Sequence, residues 1–479
     1  MAGPAAQPCL SRPPSCPQTC VCQDMPSDSP VSGHNLVFCQ LVLLLLFSAF
    51  GSIAQTVELS PGEDIRAALA ALRPGDELVL GGGVYSFDSN FTISATGTLN
   101  QPIVIRARTG ETPVLQQNNA NQNAVEIRNS RYLILRGIEV TGGSHGIRLM
   151  DSSFVTIEEC NIHDTGDVAL SANSGGTYEG LKILRNEIHH TNGTGEGMYL
   201  GCNNDACRVK NSLIDGNYIH HTNGPGVEQG DGIELKEGSS GNVISNNVIH
   251  DTNYPGILTY STVGNGPANR IEGNLIWHTN DNGIQVAADA ILINNIVLGS
   301  PVAFQPHQAG SPSHLELLHN TLVSRGSAVN VRGVSGDVVI ANNAIYSETG
   351  PAINLISGNT SLVRLSGNVG HGGVSGASGG YSEGQGVVAD FVNGHYLGAP
   401  PVDVFPSSDS ALIGAGDSQF QVTTDFNGTP RSGRVDAGAY HFTQGGNPGW
   451  EPAEGFKGGA VPGSRVVPEQ PKNLRFQSQ

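Results

Sequence analysis

The chain has 479 residues, enough for two or three ordinary domains or for one long repeat. With 64 glycines and only 14% charged residues, it is poorly suited to long surface helices and well suited to many tight turns. A formal net charge of -18 argues against nucleic acid, and holding a polyanionic ligand requires a local basic patch or a bound cation.

Residues 36–53, LVFCQLVLLLLFSAFGSI, form the long apolar run of the chain, and the character changes at Gln55. The run reads as the core and small-residue cleavage site of a secretory signal, with an N-terminal anchor as the alternative. Either implies a secreted, periplasmic or cell-surface protein. Residues 1–35 are Pro-rich, carry Cys9, Cys16, Cys20 and Cys22, and lack apolar periodicity; they read as an upstream extension, with Met25 an alternative start. After Ala54 the cysteines are Cys160, Cys202 and Cys207. Cys202 and Cys207 bracket the short polar loop NNDA and can bridge in an exported chain; three reduced thiols are the alternative. A zinc site is not expected, because no second pair stands at ligand spacing.

In residues 57–85, Ile65, Leu69 and Leu72 share one helical face after Pro61, Glu63 and Asp64, and Pro74-Gly75 ends the helix. Glu77–Leu80 and the segment from Gln101 read as strands. A short amphipathic helix here would cover the open end of a stacked core. From about residue 124 a rhythm of roughly 21 to 35 residues sets in. One half of each unit is Gly-apolar-x-apolar: HGIRL, EGMYL, DGIEL, PGILT and NGIQV. The other is an apolar strand around Asn-x-Ile, as in RNEIHHT, GNYIHHT, NNVIHDT and GNLIWHT. This alignment puts Asn186, Asn217, Asn247, Asn274, Asn320 and Asn343 at one repeat position, with Cys160 there in an earlier coil. Stacked Asn side chains can satisfy buried backbone groups at each bend. Helical solenoids are excluded because the apolar runs are short and alternating. The expected architecture is a parallel β-helix of about ten coils through Leu365.

The expected division is an extension with signal peptide or anchor (1–54), a β-helix (55–370), a closing segment (371–445) and a disordered tail (446–479). Residues 371–388 break the rhythm and read as a flexible crossing. PVDVFPSSDSALIGAG and DFNGTPRSGRVDAGAYHF then read as the closure of the C-terminal end of the stack.

Strand side chains alternate, so an outward row recurs from coil to coil. In GDGIELKEGS, residues 230–239, Ile233 and Leu235 should point inward, and Glu234 and Lys236 outward. Arg148, Tyr199, Leu258 and Gln285 align with Glu234; Met150, Gly201, Tyr260 and Ala287 align with Lys236. The result is a shallow polar groove with aromatic walls, suited to a chain-like sugar. Tyr199, Arg148, Gln285 and His278 are the substrate-binding candidates, and Lys236, Tyr260 and His250 the catalytic ones. Asp231 and Glu234, with Glu228 nearby, suit a hard cation such as Ca²⁺, and Glu196 and Asn192 are further ligand candidates. The alternative is a turn-opening Asp231 and a Glu234 simply paired with Lys236. His163, His189, His220, His250 and Trp277 form one further column; Asp164, His190, His221, Asp251 and His278 form another. These could bind metal or shuttle protons, but their place at a turn favours a structural ladder.

The order GMYLG, DGNYI, GDGIELKEGS, NNVI, GILT, NGIQV and NNI, between Gly195 and Gly299, resembles the central coils of polysaccharide lyase family 6, the chondroitinase B and alginate lyase group. The resemblance implies Asp231 as a Ca²⁺ ligand and Lys236 as the Brønsted base. The family's acid is an arginine after a Gly-x-Leu-x-Leu strand; here GILTYSTVGN offers Tyr260 or Ser261 instead. The implied fold is an all-β, right-handed, single-stranded parallel β-helix of pectate-lyase-like type with a short N-terminal capping helix. The implied protein is a monomeric, exported, Ca²⁺-assisted lyase acting on an acidic, uronate-containing polysaccharide. A C5-epimerase, a glycoside hydrolase and a non-catalytic carbohydrate-binding β-helix are the alternatives.

Overall fold

The computed structural model describes residues 54–261, 266–307, 310–357 and 360–447. The expected signal or anchor (up to residue 53) and the tail from residue 448 lie outside them. No helix among the described residues is long and apolar enough to cross a membrane.

Each coil gives one strand to each of three parallel sheets, here called A, B and C in chain order, which reach 13, 13 and 12 strands. The coil that matters most runs from Leu213–Asp215 in A to Tyr218–Thr222 in B and Ile233–Leu235 in C. The chain then re-enters A at Val243–Ser245. The stack is longer than the coil count read from the repeats. Strands from Thr56–Leu59 to Pro113–Gln117 join it without the Gly-apolar signature. At the N-terminal end, the helix Ile65–Ala71 starts on Asp64, whose carboxylate accepts from the Ala67 N–H at 3.0 Å. It buries Ile65 and Leu69 against the core of the first coils.

The bends explain the repeat. At the A–B corner one residue adopts a left-handed backbone, so Gly or Asn recurs: Gly216, Asn246, Gly273, Asn294 and Asn342 all have φ between 53° and 69°. The next residue is the inward Asn. Its side-chain amide donates to the amide oxygen of the Asn one coil on, at 2.9 Å from Asn217 to Asn247 and from Asn247 to Asn274. It also donates back to a main-chain carbonyl, as Asn247 does to Ile214 at 3.0 Å. Asn295 and Asn368, absent from the sequence alignment, belong to this ladder. At the B–C corner a side chain has no room: a Cβ on Gly232 would lie 2.4 Å from the Gly256 carbonyl oxygen and 2.6 Å from Ile249.

Two expectations are corrected. Residues 371–388 are not a loose crossing: Val374–Ser375 extends sheet C, Tyr381–Glu383 extends sheet B, and a helical turn begins at Val387. The segment beyond does not simply close the end of the stack. It folds back along the outer face of sheet B, where Phe391, Val404, Phe405, Phe426 and Tyr440 cover Leu275, Trp277, Leu298, Val323 and Tyr346. Arg431 pins it to the A–B corner, donating to Asn294 Oδ1 at 3.1 Å and to the Gly438 and Ala439 carbonyls. The apolar residues at alternate positions on the outer face of sheet B explain this path, because their exposure would be costly.

Candidate functional site

The site is built by the outward side chains of sheet C. Strand register sets Glu234 level with Tyr199 on one side and Leu258 on the other, with Gln285 one coil further. Lys236 follows Leu235 and is flanked by Gly201 and Tyr260. Gly201 is required there, because a Cβ would come within 3.0 Å of the Lys236 Cβ and 2.9 Å of Ser239 Oγ. The 202–207 loop, closed by the disulfide Cys202–Cys207, packs nearby: its Asp205 leaves no space for a side chain at Gly238. Cys160 remains a buried free thiol.

Lys236 makes four contacts with three residues. Its ammonium donates to Glu234 Oε1 at 2.5 Å and to the Tyr260 hydroxyl at 3.0 Å. It lies 4.5 Å from the ring centre of Tyr199 and 4.2 Å from that of Tyr260, within cation–π range. His307 packs edge-on against Tyr260 at 4.4 Å. Lys236 is 3% exposed and Glu234 0%. The expected open groove is therefore corrected: these side chains leave the strand outward, but their neighbours cover them.

Beside this pair, Glu196, Asp231 and Glu234 each present a carboxylate oxygen, and the three oxygens lie within 4.8 Å of one another. All three residues are fully buried. Both oxygens of Asp231, Oε1 of Glu196 and Oε2 of Glu234 have no hydrogen-bond partner. Burial, followed by the charges of Glu234 and Glu196, raises the Asp231 carboxyl well above its ordinary range. Glu234 is pushed up to about 7 by burial, with Lys236 pulling the other way. Burial also raises Glu196, whose Oε2 accepts from Thr194 at 2.6 Å. Buried carboxylates with unpaired oxygens make a site for a hard cation, since oxygen is the donor such ions prefer. The donor set therefore fits Ca²⁺.

Other candidates lie elsewhere. His250 is on sheet B, not sheet C. It stacks on Trp277 at 4.3 Å, and its ring nitrogens contact Asp251 and Tyr218 at 2.6 and 2.8 Å. His278 is on the neighbouring coil of sheet B, 3.3 Å from Asp251. Neither joins the Lys236 cluster. Asn192 gives its amide N–H to the Thr165 carbonyl at 3.2 Å. Gln285 is held by Asn282 at 2.8 Å. Arg148 shares the outward column but stands three coils before Glu234, with Ser171 and Tyr199 between. The histidine columns are turn ladders: the rings of His163, His189 and His220 stack at 4.9 Å, and Asp164, His190, His221, Asp251 and His278 take left-handed backbones.

Two residues escaped the sequence reading. Glu237, 2% exposed with both carboxylate oxygens unpartnered, follows Lys236 but sits just past the strand, where alternation gives no direction. His307 follows Phe304 in an irregular stretch without a repeat position.

Residues 51–249 match a family model described as a Pel9A-like, right handed beta helix region, and residues 182–322 match a right handed beta helix region. Glu196, Asp231, Glu234 and Lys236 lie where the two matches overlap. Among curated proteins, pectate lyase L of Paenibacillus polymyxa is 26% identical over 331 residues, covering 62% of this chain and 67% of its own. Pectate lyase PEL9 of Emericella nidulans is 26% identical over 124 residues, 22% of this chain and only 30% of that enzyme's length. Among solved structures, XylC in complex with xylose covers 78% of this chain and 94% of its own at 10% identity and a TM-score of 0.53, a likeness of fold. An alginate lyase of Paenibacillus sp. FPU-7 is 24% identical, covering 65% of this chain and 99% of its own, with a TM-score of 0.45. The chain is built as a right-handed parallel β-helix and is similar to pectate lyases.

Proposed function

We propose that the protein is an exported lyase that cleaves a uronate-containing polysaccharide by β-elimination, with Lys236 as base and Tyr260 as acid. One observation carries the reading: the Lys236 ammonium nitrogen lies 3.0 Å from the Tyr260 hydroxyl, beside a buried carboxylate cluster. Elimination breaks the C5–H bond, and the proton passes to Lys236 Nζ once that nitrogen has given up its own ammonium proton. The electron pair forms the C4–C5 double bond as the C4–O4 bond breaks. O4 leaves with that bond's electrons and takes a proton from Tyr260. Tyr260 keeps its proton until that moment, because burial, then the charge of Glu234, raises its pKa.

The C5 proton is weakly acidic because the substrate's carboxylate resists further negative charge. Asp231, Glu234 and Glu196 would hold Ca²⁺, which when bound neutralises charge developing on that carboxylate. Glu234 plays a double part, since its Oε1 positions Lys236 while its Oε2 faces the cluster. Tyr199 offers a ring face for sugar stacking. The reading draws support from the pectate lyases to which the chain is similar.

The test is to incubate the purified protein with alginate, pectate and glycosaminoglycans, with added Ca²⁺ or with chelator. Ultraviolet-absorbing unsaturated ends should form with one class of polymer, and chelation should suppress them. Absence of unsaturated product from every uronate polymer would overturn the proposal.

A further inference from the structure

The outward column of sheet C continues beyond the carboxylates toward the N-terminal coils. From Glu234 toward the N-terminus, the register passes Tyr199, Ser171 and Arg148 in turn. Arg148 is half-buried, and its Nε is buried without a hydrogen-bond partner. Nearby arginines behave differently: Arg128 pairs with Glu126 at 3.2 Å, and Arg136 and Arg185 both pair with Glu158, at 2.6 and 2.8 Å. Among the described residues Arg148 has no such carboxylate, although the chain carries a net charge of -18. A partly desolvated guanidinium left unpaired in an acidic protein is costly unless an anion arrives from outside.

Its surroundings are polar and ordered. His145, 8% exposed, shares a hydrogen bond of 3.0 Å between its Nδ1 and Ser171 Oγ. Asp167 is already engaged: Oδ1 accepts from the Thr194 N–H at 3.0 Å, and Oδ2 lies 3.7 Å from His145 Nε2. Glu126, level with Arg148 one coil earlier, is taken by Asn123, Asn90 and Arg128, so neither neighbouring acid neutralises Arg148. Tyr199 stands between this patch and Lys236 and can support a sugar ring on the way.

We propose that Arg148, flanked by His145 and Ser171, is a subsite for the carboxylate of a uronate unit remote from the bond that is cut. The inference rests on the lyase reading above for the position of that bond. Coils are spaced by about 4.8 Å, so Arg148 lies about 14 Å from Glu234 along the solenoid axis. A 1,4-linked pyranose advances by about one coil spacing. The polymer would therefore run along the axis over sheet C, one sugar per coil, with Arg148 meeting a unit about three sugars from the centre. The subsite makes the protein a reader of chain length and of charge at a distance.

The experiment measures binding of size-defined oligouronides, from dimer to hexamer, by titration calorimetry, with product formation recorded separately. Wild type is compared with Arg148→Gln and Arg148→Lys, and a carboxyl-reduced hexamer is the neutral control. The hexamer-to-dimer affinity ratio should fall about tenfold in Arg148→Gln, the loss expected for a charged hydrogen bond, and recover in part in Arg148→Lys. The neutral hexamer should show no such dependence on Arg148. An unchanged ratio, an equal loss at every length, or wild type that binds no oligomer overturns the subsite. Length-dependent binding that collapses in Arg148→Gln supports the subsite even where no unsaturated product forms, an outcome that overturns only the lyase reading.

Discussion

Lys236 and Asp231 make opposite demands on the fold. Replacing Lys236 by Ala removes the proposed base, and turnover should fall by about 10²- to 10⁴-fold, measured as unsaturated ends per unit time. Asp231 is buried with neither oxygen partnered, so in metal-free protein it is a source of strain. Asp231→Asn should therefore raise the melting temperature without Ca²⁺ and shrink the upward shift that Ca²⁺ produces. Scanning fluorimetry with chelator and with Ca²⁺ checks both signs; a lower melting temperature in chelator would show that the carboxylate has a stabilising partner. The composition of this cluster was legible in GDGIELKEGS because one strand and the residues flanking it carry Asp231, Glu234 and Lys236. Its depth was not. Burial of Lys236 depends on Tyr199, Tyr260 and His307 from three other coils, and strand alternation reports direction only.

The corner between sheets A and B shows what a repeat position is worth. Asn247 gives one amide hydrogen to Ile214 and the other to Asn274, and its oxygen accepts from Asn217. Asn247→Ala leaves several buried groups unpaired at once, at about 1–3 kcal/mol each. Urea denaturation should show a loss of at least about 2 kcal/mol, and no measurable loss would remove the ladder from the account. The sequence displayed this ladder because Asn recurs before an apolar strand. It hid Asn295 and Asn368, which lack the Ile or Leu that stands two residues after the other ladder Asn residues. Acid should weaken the same corner through His319. This side chain is fully buried beneath the returning C-terminal segment, and burial, then the charge of Arg431, lowers its pKa from 6.5 to about 2. The folded state thus prefers the neutral ring. The stabilisation is complete above the ordinary pKa and is lost progressively as pH falls below it. Melting temperature should drop between about pH 7 and about pH 5, and by less in His319→Gln. An identical drop in both would place the acid sensitivity elsewhere.

At the scale of the molecule, a stack of short strands has two vulnerable surfaces, its ends and any apolar side. The periodicity announced the stack itself, since Gly-apolar-x-apolar alternating with Asn-x-Ile admits few other folds. It did not announce the returning segment, because Leu275, Trp277 and Leu298 look like ordinary strand residues until the sheet's outer face is seen. Removing residues 387–447 should expose that face and yield aggregated protein in size-exclusion chromatography; a monodisperse product would show that the coils do not need their cover. The same rigid column brings the proposed base, the proposed acid and the carboxylates to one wall, and function depends on it. The most direct test is the rate of cleavage of a uronate polymer deuterated at C5. If Lys236 removes that proton, unsaturated ends form more slowly than from unlabelled polymer, and Lys236→Ala lowers their rate by about 10²- to 10⁴-fold. Cleavage that is insensitive to the label, releases saturated ends, survives Lys236→Ala and is lost in Glu234→Gln would contradict the account and make the protein a hydrolase.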